Sequence, residues 1–266
     1  MSPWVLRGLR DGVVTTRWPA RPDPYADSWR GPAAVVGSRA ADPDALAALC
    51  PTGAISAGPG RDVAVDQGRC VLCGTCARER PDLFGWSRGI ASAALTRDGL
   101  VVPSAKETER DLAAMRSALA ARTRALRRSV HLRHVDAGSD GAEEQEIAAL
   151  LNPVYDIGRL GIFLTASPRH ADVLLVTGAG AHGMAEPLRR TYDGMPDPKI
   201  VIAVGTDAVS GGLFGGGSYA TSGGVGALVP VDVWLPGSPP PPFAILHALL
   251  LGLARLPAPA AEGTRS

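Results

Sequence analysis

The sequence lacks a charge imbalance, because 27 basic and 26 acidic residues leave a formal net charge of +1 at pH 7. Apart from the stretch from Arg122 to Arg128 the basic residues are scattered, so the electrostatic footprint of a nucleic-acid-binding protein is missing. Long apolar runs are also lacking. The best candidate, Phe243 to Leu253, is shorter than the roughly 18 residues of a membrane span and contains His247. We therefore expect no nucleic-acid partner and no membrane-spanning segment.

A secretory signal is not predicted either, because Met1 to Arg10 contains no apolar stretch followed by a small-residue cleavage site. The expected compartment is the cytosol, where thiols stay reduced and grouped cysteines bind metals more often than they form disulfides. Cysteine itself is scarce, with 4 residues in the whole sequence. All of them lie between residues 50 and 76, which makes a shared site the first hypothesis.

Three cysteines form the triplet Cys70-Val-Leu-Cys73-Gly-Thr-Cys76, and the fourth, Cys50, is followed by a proline. Bacterial two-cluster ferredoxins contain runs of C-x2-C-x2-C-x3-C-P, in which the last cysteine binds the other cluster. Cys50 fits the last position of a first run whose three other ligands are missing. The triplet fits a second run whose last cysteine is missing, although its proline persists. The missing ligand positions carry Ala40, Pro43, Leu46 and Arg80.

These losses remove every ligand of one cluster and leave every ligand of the other. We therefore predict that Cys50, Cys70, Cys73 and Cys76 bind one [4Fe–4S] cluster. A zinc knuckle would also accept four cysteines, but its ligands usually come as two C-x2-C pairs rather than as a triplet and a distant Cys-Pro. A zinc site and four unrelated thiols are the alternatives.

Composition and periodicity divide the chain into four parts. Residues 1–38, rich in Pro, Arg and Trp, show no sustained period and are expected to form an extended N-terminal arm. Residues 39–105 contain the cysteines and are expected to form an α+β domain. Residues 106–128 are expected to form a linking amphipathic helix, with Arg122 interrupting its apolar stripe. The last domain covers residues 129–266. The apolar stripe of the linking helix consists of Leu112, Met115, Leu119 and Leu126.

In the last domain, short runs of β-forming residues alternate with segments of helical length. This pattern is typical of an α/β domain with a central parallel sheet covered by helices, and such sheets bind ligands at the carboxyl ends of their strands. The predicted strands are Val130–Val135, Val173–Thr177, Ile200–Val204 and Val231–Leu235, and the predicted helices are Glu143–Leu151, Met184–Tyr192 and Phe243–Leu253.

Motifs in both halves resemble known families. The run Gly12-Val-Val-Thr-Thr-Arg-Trp-Pro19, with Arg30-Gly31 and the cysteines, resembles the ferredoxin-like subunits of formate hydrogenlyase and of complex I, over about residues 5–85. Later runs resemble the small subunit of membrane-bound [NiFe] hydrogenases, of the formate hydrogenlyase subunit 7 type, and its counterpart in complex I, over about residues 130–255. The resemblance implies a fusion of two neighbouring subunits, a ferredoxin-like domain followed by a flavodoxin-like domain. The later runs include Val135-Asp-Ala-Gly-Ser139, Asn152-Pro-Val-Tyr-Asp-Ile157, Tyr192-Asp-Gly-Met-Pro-Asp-Pro198 and Val231-Asp-Val-Trp-Leu-Pro-Gly237.

The resemblance also implies a second cluster site that this sequence has lost. Relatives of the hydrogenase small-subunit type bind a proximal [4Fe–4S] cluster through four cysteines, all of them replaced here. Carboxylate and hydroxyl oxygens suit Mg, Ca or Mn better than an iron–sulfide core, so the proximal cluster is predicted to be absent. We expect the acidic groups to pair with arginines such as Arg159 or Arg169, or to be exposed; the alternative is a divalent cation held by the three carboxylates. The degenerate positions are Asp140, Glu143, Asp207 and Ser238.

The function implied by the resemblance is that of an iron–sulfur electron-transfer subunit, without catalytic residues of its own, in a membrane-associated hydrogenase-related or complex I-like oxidoreductase. The implied partners are a large catalytic-type subunit and membrane-embedded subunits, with this chain peripheral on the cytoplasmic face of the inner membrane. Two alternatives are a redox-inactive scaffold subunit, whose cluster serves folding, and a free-standing ferredoxin-type electron carrier or redox sensor.

Overall fold

A computed structural model describes residues 3–37, 39, 42–58, 62–103, 108–126, 129–215 and 218–256. Both ends of the linking helix predicted over residues 106–128 lie outside these ranges, as do residues 257–266 of the predicted last domain. Ala40, one of the missing-ligand positions, also lies outside the described residues.

The N-terminal half alternates short helices with short strands. Two small antiparallel sheets result, one pairing the first strand with the fourth and the other ordered β2-β3-β5. In chain order the elements are α1 (Pro3–Asp11), α2 (Pro24–Ser28), β1 (Arg30–Val35), α3 (Pro43–Ala48), β2 (Ile55–Ala57), β3 (Val63–Asp66), α4 (Thr75–Glu79), β4 (Phe84–Arg88) and β5 (Val101–Val102).

The predicted N-terminal arm is more regular than its composition suggests. Helices α1 and α2 and strand β1 all lie within it, and β1 pairs with β4 in the cysteine-containing part of the chain. The prediction was wrong for β1 because Gly31, Pro32 and Ala33 are consecutive small buried residues. They show no alternation of apolar and polar positions, and only the partner strand makes them a strand.

The C-terminal half is a five-stranded parallel sheet with strand order β10-β9-β8-β6-β7 and helices on both faces. This confirms the predicted α/β domain. No described helix is both long and apolar enough to cross a membrane. In chain order the elements are α5 (Glu109–Arg122), β6 (Val130–Asp136), α6 (Ala142–Ala149), β7 (Ile162–Leu164), β8 (Val173–Thr177), α7 (His182–Asp193), β9 (Ile200–Val204), α8 (Thr206–Ser210), β10 (Val233–Leu235) and α9 (Pro242–Gly252).

Each of the four predicted parallel strands is present, and β8 and β9 begin and end at the predicted residues. Every residue of these two central strands is buried, so their apolar runs needed no alternation to be recognised. Strand β7 was not predicted, because three residues carry too little pattern. It adds to the edge of the sheet by pairing in parallel with β6.

Helix α5 lies within the predicted linking helix. Leu119 is buried, whereas Leu112 and Met115 are half-buried. Leu126 is buried but lies beyond the last residue of the helix. Arg122, which interrupts the stripe, forms an ion pair with Asp232 just before β10.

Candidate iron–sulfur site and the acidic edge of the sheet

All four cysteines line one cavity in the N-terminal half. Cys50 follows α3, Cys70 follows the single helical turn after β3, and Cys76 lies in α4. None of them is in a disulfide. The rest of the lining is mainly apolar and includes Ile55, Val65, Val71 and Trp86. The structure therefore brings the distant Cys50 to the triplet, as the sequence predicted.

Hydrogen bonds hold the chain on either side of the cavity. The Asp66 carboxylate accepts two bonds from the Arg97 guanidinium, at 2.8 and 2.7 Å, and one from the Gly68 N–H, at 2.9 Å. The Thr52 hydroxyl, two residues after Cys50, donates to the carbonyl of Arg69 at 2.6 Å. The turn that follows Cys50 is thereby tied directly to the residue that precedes Cys70.

The turn between Cys70 and Cys76 contains two residues in the left-handed region, Leu72 (φ 58°) and Gly74 (φ 76°). A left-handed conformation costs a leucine roughly 1–2 kcal/mol, and such strain is concentrated at ligand sites. A β-carbon at position 74 would also lie 3.0 Å from the Trp86 ring. The backbone is thus held in a conformation that its sequence alone does not favour.

The cysteines influence one another's ionisation. Burial raises the pKa of the Cys70 and Cys76 thiols, and the neighbouring thiols raise it further. Burial also acts on exposed Cys73, but hydrogen bonds from Thr75 and the charge of Arg78 outweigh it, so the pKa of Cys73 is lowered. In addition, the Ala54 N–H donates a hydrogen bond to the Cys50 sulfur at 3.2 Å. The thiols are therefore electrostatic neighbours.

Four cysteine thiolates are the donor set of a [4Fe–4S] cluster and also of a structural zinc site. No three His, Cys, Asp or Glu side chains within the described ranges are placed to hold one metal ion. A [4Fe–4S] cluster takes one thiolate on each iron. The cavity that the four cysteines line has a volume of about 20 Å³, little more than one water molecule needs.

Two of the missing ferredoxin ligand positions have other roles. Leu46 is 2% exposed and packs in the apolar core of the N-terminal half, with Ile55 and Phe84. Arg80 lies at the surface in a two-bond ion pair with Asp82, at 2.8 and 2.6 Å. Neither side chain is a cluster ligand, and the Leu46 side chain fills part of the apolar core.

A second group of candidate side chains lies where β6 and β9 end, at the carboxyl edge of the parallel sheet. Asp140 lies in the loop after β6, Glu143 in the first turn of α6, and Asp207 in the first turn of α8. Glu143 is 3% exposed and packs so tightly on Gly205 that a β-carbon there would overlap its carboxyl group. Ser238 is exposed in the segment after β10. The three acidic side chains predicted to converge are near enough to perturb one another.

The expected arginine pairs are not formed. Arg159 donates instead to the carbonyl oxygens of Tyr155 and Trp18, and no Lys or Arg in the described part of the chain pairs with Asp140, Glu143 or Asp207. The Oε2 atom of Glu143 has no hydrogen-bond partner. Burial, followed by the charges of Asp207 and Asp140, raises the pKa of Glu143 to about 7. The prediction of pairing or exposure was therefore wrong for Glu143, because the fold buries it away from any cation.

The cation alternative is not supported either. Asp140, Glu143 and Asp207 all lie in the described ranges, where no three acidic, His or Cys side chains are arranged to hold a metal ion. Burial also raises the pKa of Asp207, with the charge of Asp140 adding to it. The three groups repel one another and no Lys or Arg of the described residues pairs with them, so Glu143 binds its proton more tightly than a free glutamate does.

Thr206, which sequence reasoning missed, connects the two sites. Its side chain is fully buried, its hydroxyl donates to the carbonyl of Cys70 at 2.9 Å, and the Gly237 N–H donates to that hydroxyl at 3.2 Å. Its own N–H donates to the carbonyl of Gly237 at 2.7 Å. Gly205 and Asp207, its chain neighbours, belong to the acidic edge. The cysteine turn therefore rests directly on the edge where the acidic residues meet.

Residues 141–251 match the family described as NADH ubiquinone oxidoreductase, 20 Kd subunit. The protein named probable membrane-bound hydrogenase subunit mbhJ, of Pyrococcus furiosus, is 44% identical over 129 residues, which cover 48% of this chain and 77% of that protein. The chain belongs to this family. The match spans α6 to α9 and so confirms the resemblance of the C-terminal half, including the segment that contains Glu143 and Asp207.

Two other relatives align over a smaller share of their own length. Formate hydrogenlyase subunit 7 of Escherichia coli is 39% identical over 160 residues, which cover 60% of this chain and 61% of that protein. The chloroplastic NAD(P)H-quinone oxidoreductase subunit K of Spinacia oleracea is 46% identical over 104 residues, 39% of this chain and 46% of that protein. The chain thus spans less than two thirds of these two relatives. The family match begins after the last cysteine, so the N-terminal resemblance stays a prediction.

Proposed function

We propose that this chain is an iron–sulfur electron-transfer subunit of a membrane-associated oxidoreductase of the hydrogenase or complex I type. In this proposal Cys50, Cys70, Cys73 and Cys76 hold one [4Fe–4S] cluster, in a ferredoxin-like unit fused to the family domain. The observation that carries it is the convergence of all 4 cysteines of the sequence on one cavity. Four thiolates are the ligand set that such a cluster requires.

The residues around the cavity have defined tasks in this proposal. When bound, the cluster would supply one-electron redox chemistry. The chain supplies the four sulfurs, a hydrogen bond from the Ala54 N–H to Cys50, and apolar walls that limit the access of water. Cys73 is the exposed member of the set and has the Arg78 guanidinium nearby. It marks the side from which a redox partner can approach closely.

The proposal includes the loss of the proximal cluster. Asp140, Glu143, Asp207 and Ser238 stand at the degenerate positions, and a buried carboxyl group with two neighbouring carboxylates is a poor environment for an anionic iron–sulfide core. One cluster per chain follows from this. An electron entering at Cys73 would leave to a partner that meets the chain near the same cavity.

The partners we propose are a large catalytic-type subunit and membrane-embedded subunits, with this chain on the cytoplasmic face of the inner membrane. The names of two relatives, formate hydrogenlyase subunit 7 and membrane-bound hydrogenase subunit mbhJ, support this, since both are subunits by name. Family membership favours a complex subunit over a free-standing electron carrier or redox sensor.

A redox-inactive scaffold is the second candidate, and one observation favours it. The hydrogen bond from Thr206 to the Cys70 carbonyl joins the cysteine turn to the C-terminal half. A cluster that orders this turn would also order the junction between the two halves, and metal sites in small domains often contribute folding energy in this way. The two candidates therefore differ in what the cluster does and agree on where it binds.

Anaerobic purification with iron and sulfide analysis and EPR tests the cluster. About four irons and four sulfides per chain are expected, together with a signal that disappears when Cys76 is replaced by alanine. The matched control is Asp207→Asn at the degenerate site, which is expected to leave the iron content unchanged. About eight irons would contradict the loss of the proximal cluster, and stoichiometric zinc without iron would contradict the cluster itself.

The assembled complex separates relay from scaffold. If the cluster relays electrons, complexes that contain Cys76→Ala assemble but no longer reduce their acceptor. If the cluster serves only folding, the same complexes retain activity and dissociate or unfold at lower temperature. Electron transfer and thermal stability are measured on one preparation, so the two results are distinguishable.

A further inference from the structure

The carboxyl group of Glu143 is a buried ionisable group that the proposed electron transfer does not use. The residue is 3% exposed, and its Oε2 atom has no hydrogen-bond partner within the described residues. The carboxylate of the next residue, Glu144, accepts hydrogen bonds from the hydroxyls of Thr177 and Ser139. A buried carboxylate that lacks such donors is costly, so the surroundings of Glu143 favour a bound proton.

The charges that act on Glu143 come from three elements and are all negative. They belong to Asp207 in α8, to Asp140 in the loop after β6, and to Glu144 in α6 itself. The backbone of Gly205 closes the site and leaves no room even for a β-carbon. Together with burial, these charges raise the pKa of Glu143 to about 7. The group therefore exchanges its proton near neutral pH, where one more nearby charge changes its occupancy.

The cysteine turn packs directly on the element that closes this site. Gly205, which touches the carboxyl group, is followed by Thr206, whose hydroxyl donates to the Cys70 carbonyl at 2.9 Å. Further along α8, the side chain of Val209 lies 2.8 Å from the position that a β-carbon of Gly68 would take. One peptide unit and one hydrogen bond thus connect the two sites. Followed along these steps, the carboxyl group lies within roughly 15 Å of the Cys70 sulfur.

A charge that arrives at the cysteine site acts on Glu143 through protein rather than through water. At a separation of about 15 Å and an effective dielectric constant of about 20, one unit charge changes the proton affinity of a carboxyl group about six-fold. A shorter separation gives a larger change. The coupling is reciprocal, because a proton on Glu143 must favour the added electron as much as the electron favours the proton.

We propose that Glu143 takes up a proton when the cysteine site takes up an electron. This rests on the proposed function, because the electron is held by a [4Fe–4S] cluster on the four cysteines. One electron passes from a one-electron donor, such as a reduced iron–sulfur centre of a partner, to the cysteine site. The Glu143 carboxylate binds one proton from solvent and becomes a carboxylic acid. The added negative charge is thereby neutralised within the chain.

The midpoint potential of the cluster, measured between pH 5 and pH 9, tests the coupling. The full chain is purified anaerobically and titrated with dithionite while EPR follows the reduced cluster. The wild-type potential is expected to fall by about 50 mV or more as the pH rises, which is the six-fold change in proton affinity at 59 mV per factor of ten. Glu143→Gln is expected to have a constant potential close to the wild-type value at pH 5, because glutamine is uncharged at every pH.

Two further variants and a second measurement accompany this titration. Glu186→Gln, on the exposed face of α7, is the matched control and is expected to keep the wild-type pH dependence. Asp207→Asn removes one of the repelling charges and is expected to move the fall in potential to lower pH without abolishing it. In reduced-minus-oxidised infrared spectra at pH 8, the wild-type chain is expected to gain a carboxylic acid band that Glu143→Gln lacks.

A cluster of about four irons whose potential is constant from pH 5 to pH 9 overturns the coupling and leaves the proposed function standing. Equal pH dependence in the wild-type chain and Glu143→Gln also overturns it, since another group would then take up the proton. The wild-type infrared spectra decide the same question without any variant, because the absence of the band contradicts proton uptake by a carboxylate. A chain that binds no reducible cluster overturns the proposed function and the coupling together.

Discussion

Glu143→Gln tests the electrostatics of the acidic edge most directly. The pKa of Glu143 is raised from 4.5 to about 7, chiefly by burial. Because the folded state binds the proton more tightly than the unfolded chain, the stability associated with this group is present at low pH and is lost as the pH rises from about 4.5 to 7. Between pH 5 and pH 9 the loss integrates to about 2.6 kcal/mol. A glutamine side chain does not titrate, so the variant lacks this pH dependence of stability.

The assay compares urea unfolding of the wild-type chain and Glu143→Gln under anaerobic conditions at pH 5 and pH 9. The difference between their free energies of unfolding should change by about 2.6 kcal/mol in favour of glutamine at pH 9, which is on the order of 1 M in the urea midpoint. Glu186→Gln, on the exposed face of α7, is the matched control and should show no pH-dependent difference. If the free energies of unfolding of the wild-type chain and the variant differ by the same amount at both pH values, the reasoning is refuted.

Two further predictions concern the junction between the halves. Thr206→Val removes the hydroxyl that donates to the Cys70 carbonyl and should lower the free energy of unfolding by about 1–3 kcal/mol. Thr206→Ser keeps a hydroxyl and should retain most of the wild-type stability. Equal unfolding midpoints for the two variants would show that the hydrogen bond is unimportant. Gly205→Ala places a methyl group against the Glu143 carboxyl at φ 94° and should cost about 2 kcal/mol or more in thermal unfolding experiments. Gly183→Ala, in open space on α7, should cost nothing, and similar losses for both alanine variants would contradict the steric argument.

The sheet was predictable where burial leaves a continuous signal in the sequence. Strands β8 and β9 are five-residue runs of apolar or β-branched side chains, buried on both faces. Strands β1 and β7 were not predictable in the same way. The first is built from small residues such as Gly31 and Ala33, and the second is only three residues long. Both become strands because a neighbouring strand offers them hydrogen bonds, and that neighbour is distant in the sequence.

The grouping of the four cysteines around one cavity was predictable from their ferredoxin-like pattern. Ligand spacing is a local property, and the triplet can wrap a single centre whatever the rest of the chain does. The acidic residues at the carboxyl edge were predictable as a group because the resemblance places them at the positions of a lost cluster site. The ion-pair partners of these carboxylates were not predictable. Whether Arg159 reaches a carboxylate depends on the path of a loop, and here it reaches two backbone carbonyl groups instead.

The order of residues by itself determined which four sulfurs can act together and which strands form the centre of the sheet, since both follow from short-range spacing and from runs of apolar residues. Only the tertiary structure decided that Glu143 is buried without a cation and that Thr206 joins the cysteine turn to the sheet. Burial, desolvation and contact depend on distances between residues far apart in the chain. Those distances exist only once the chain has folded.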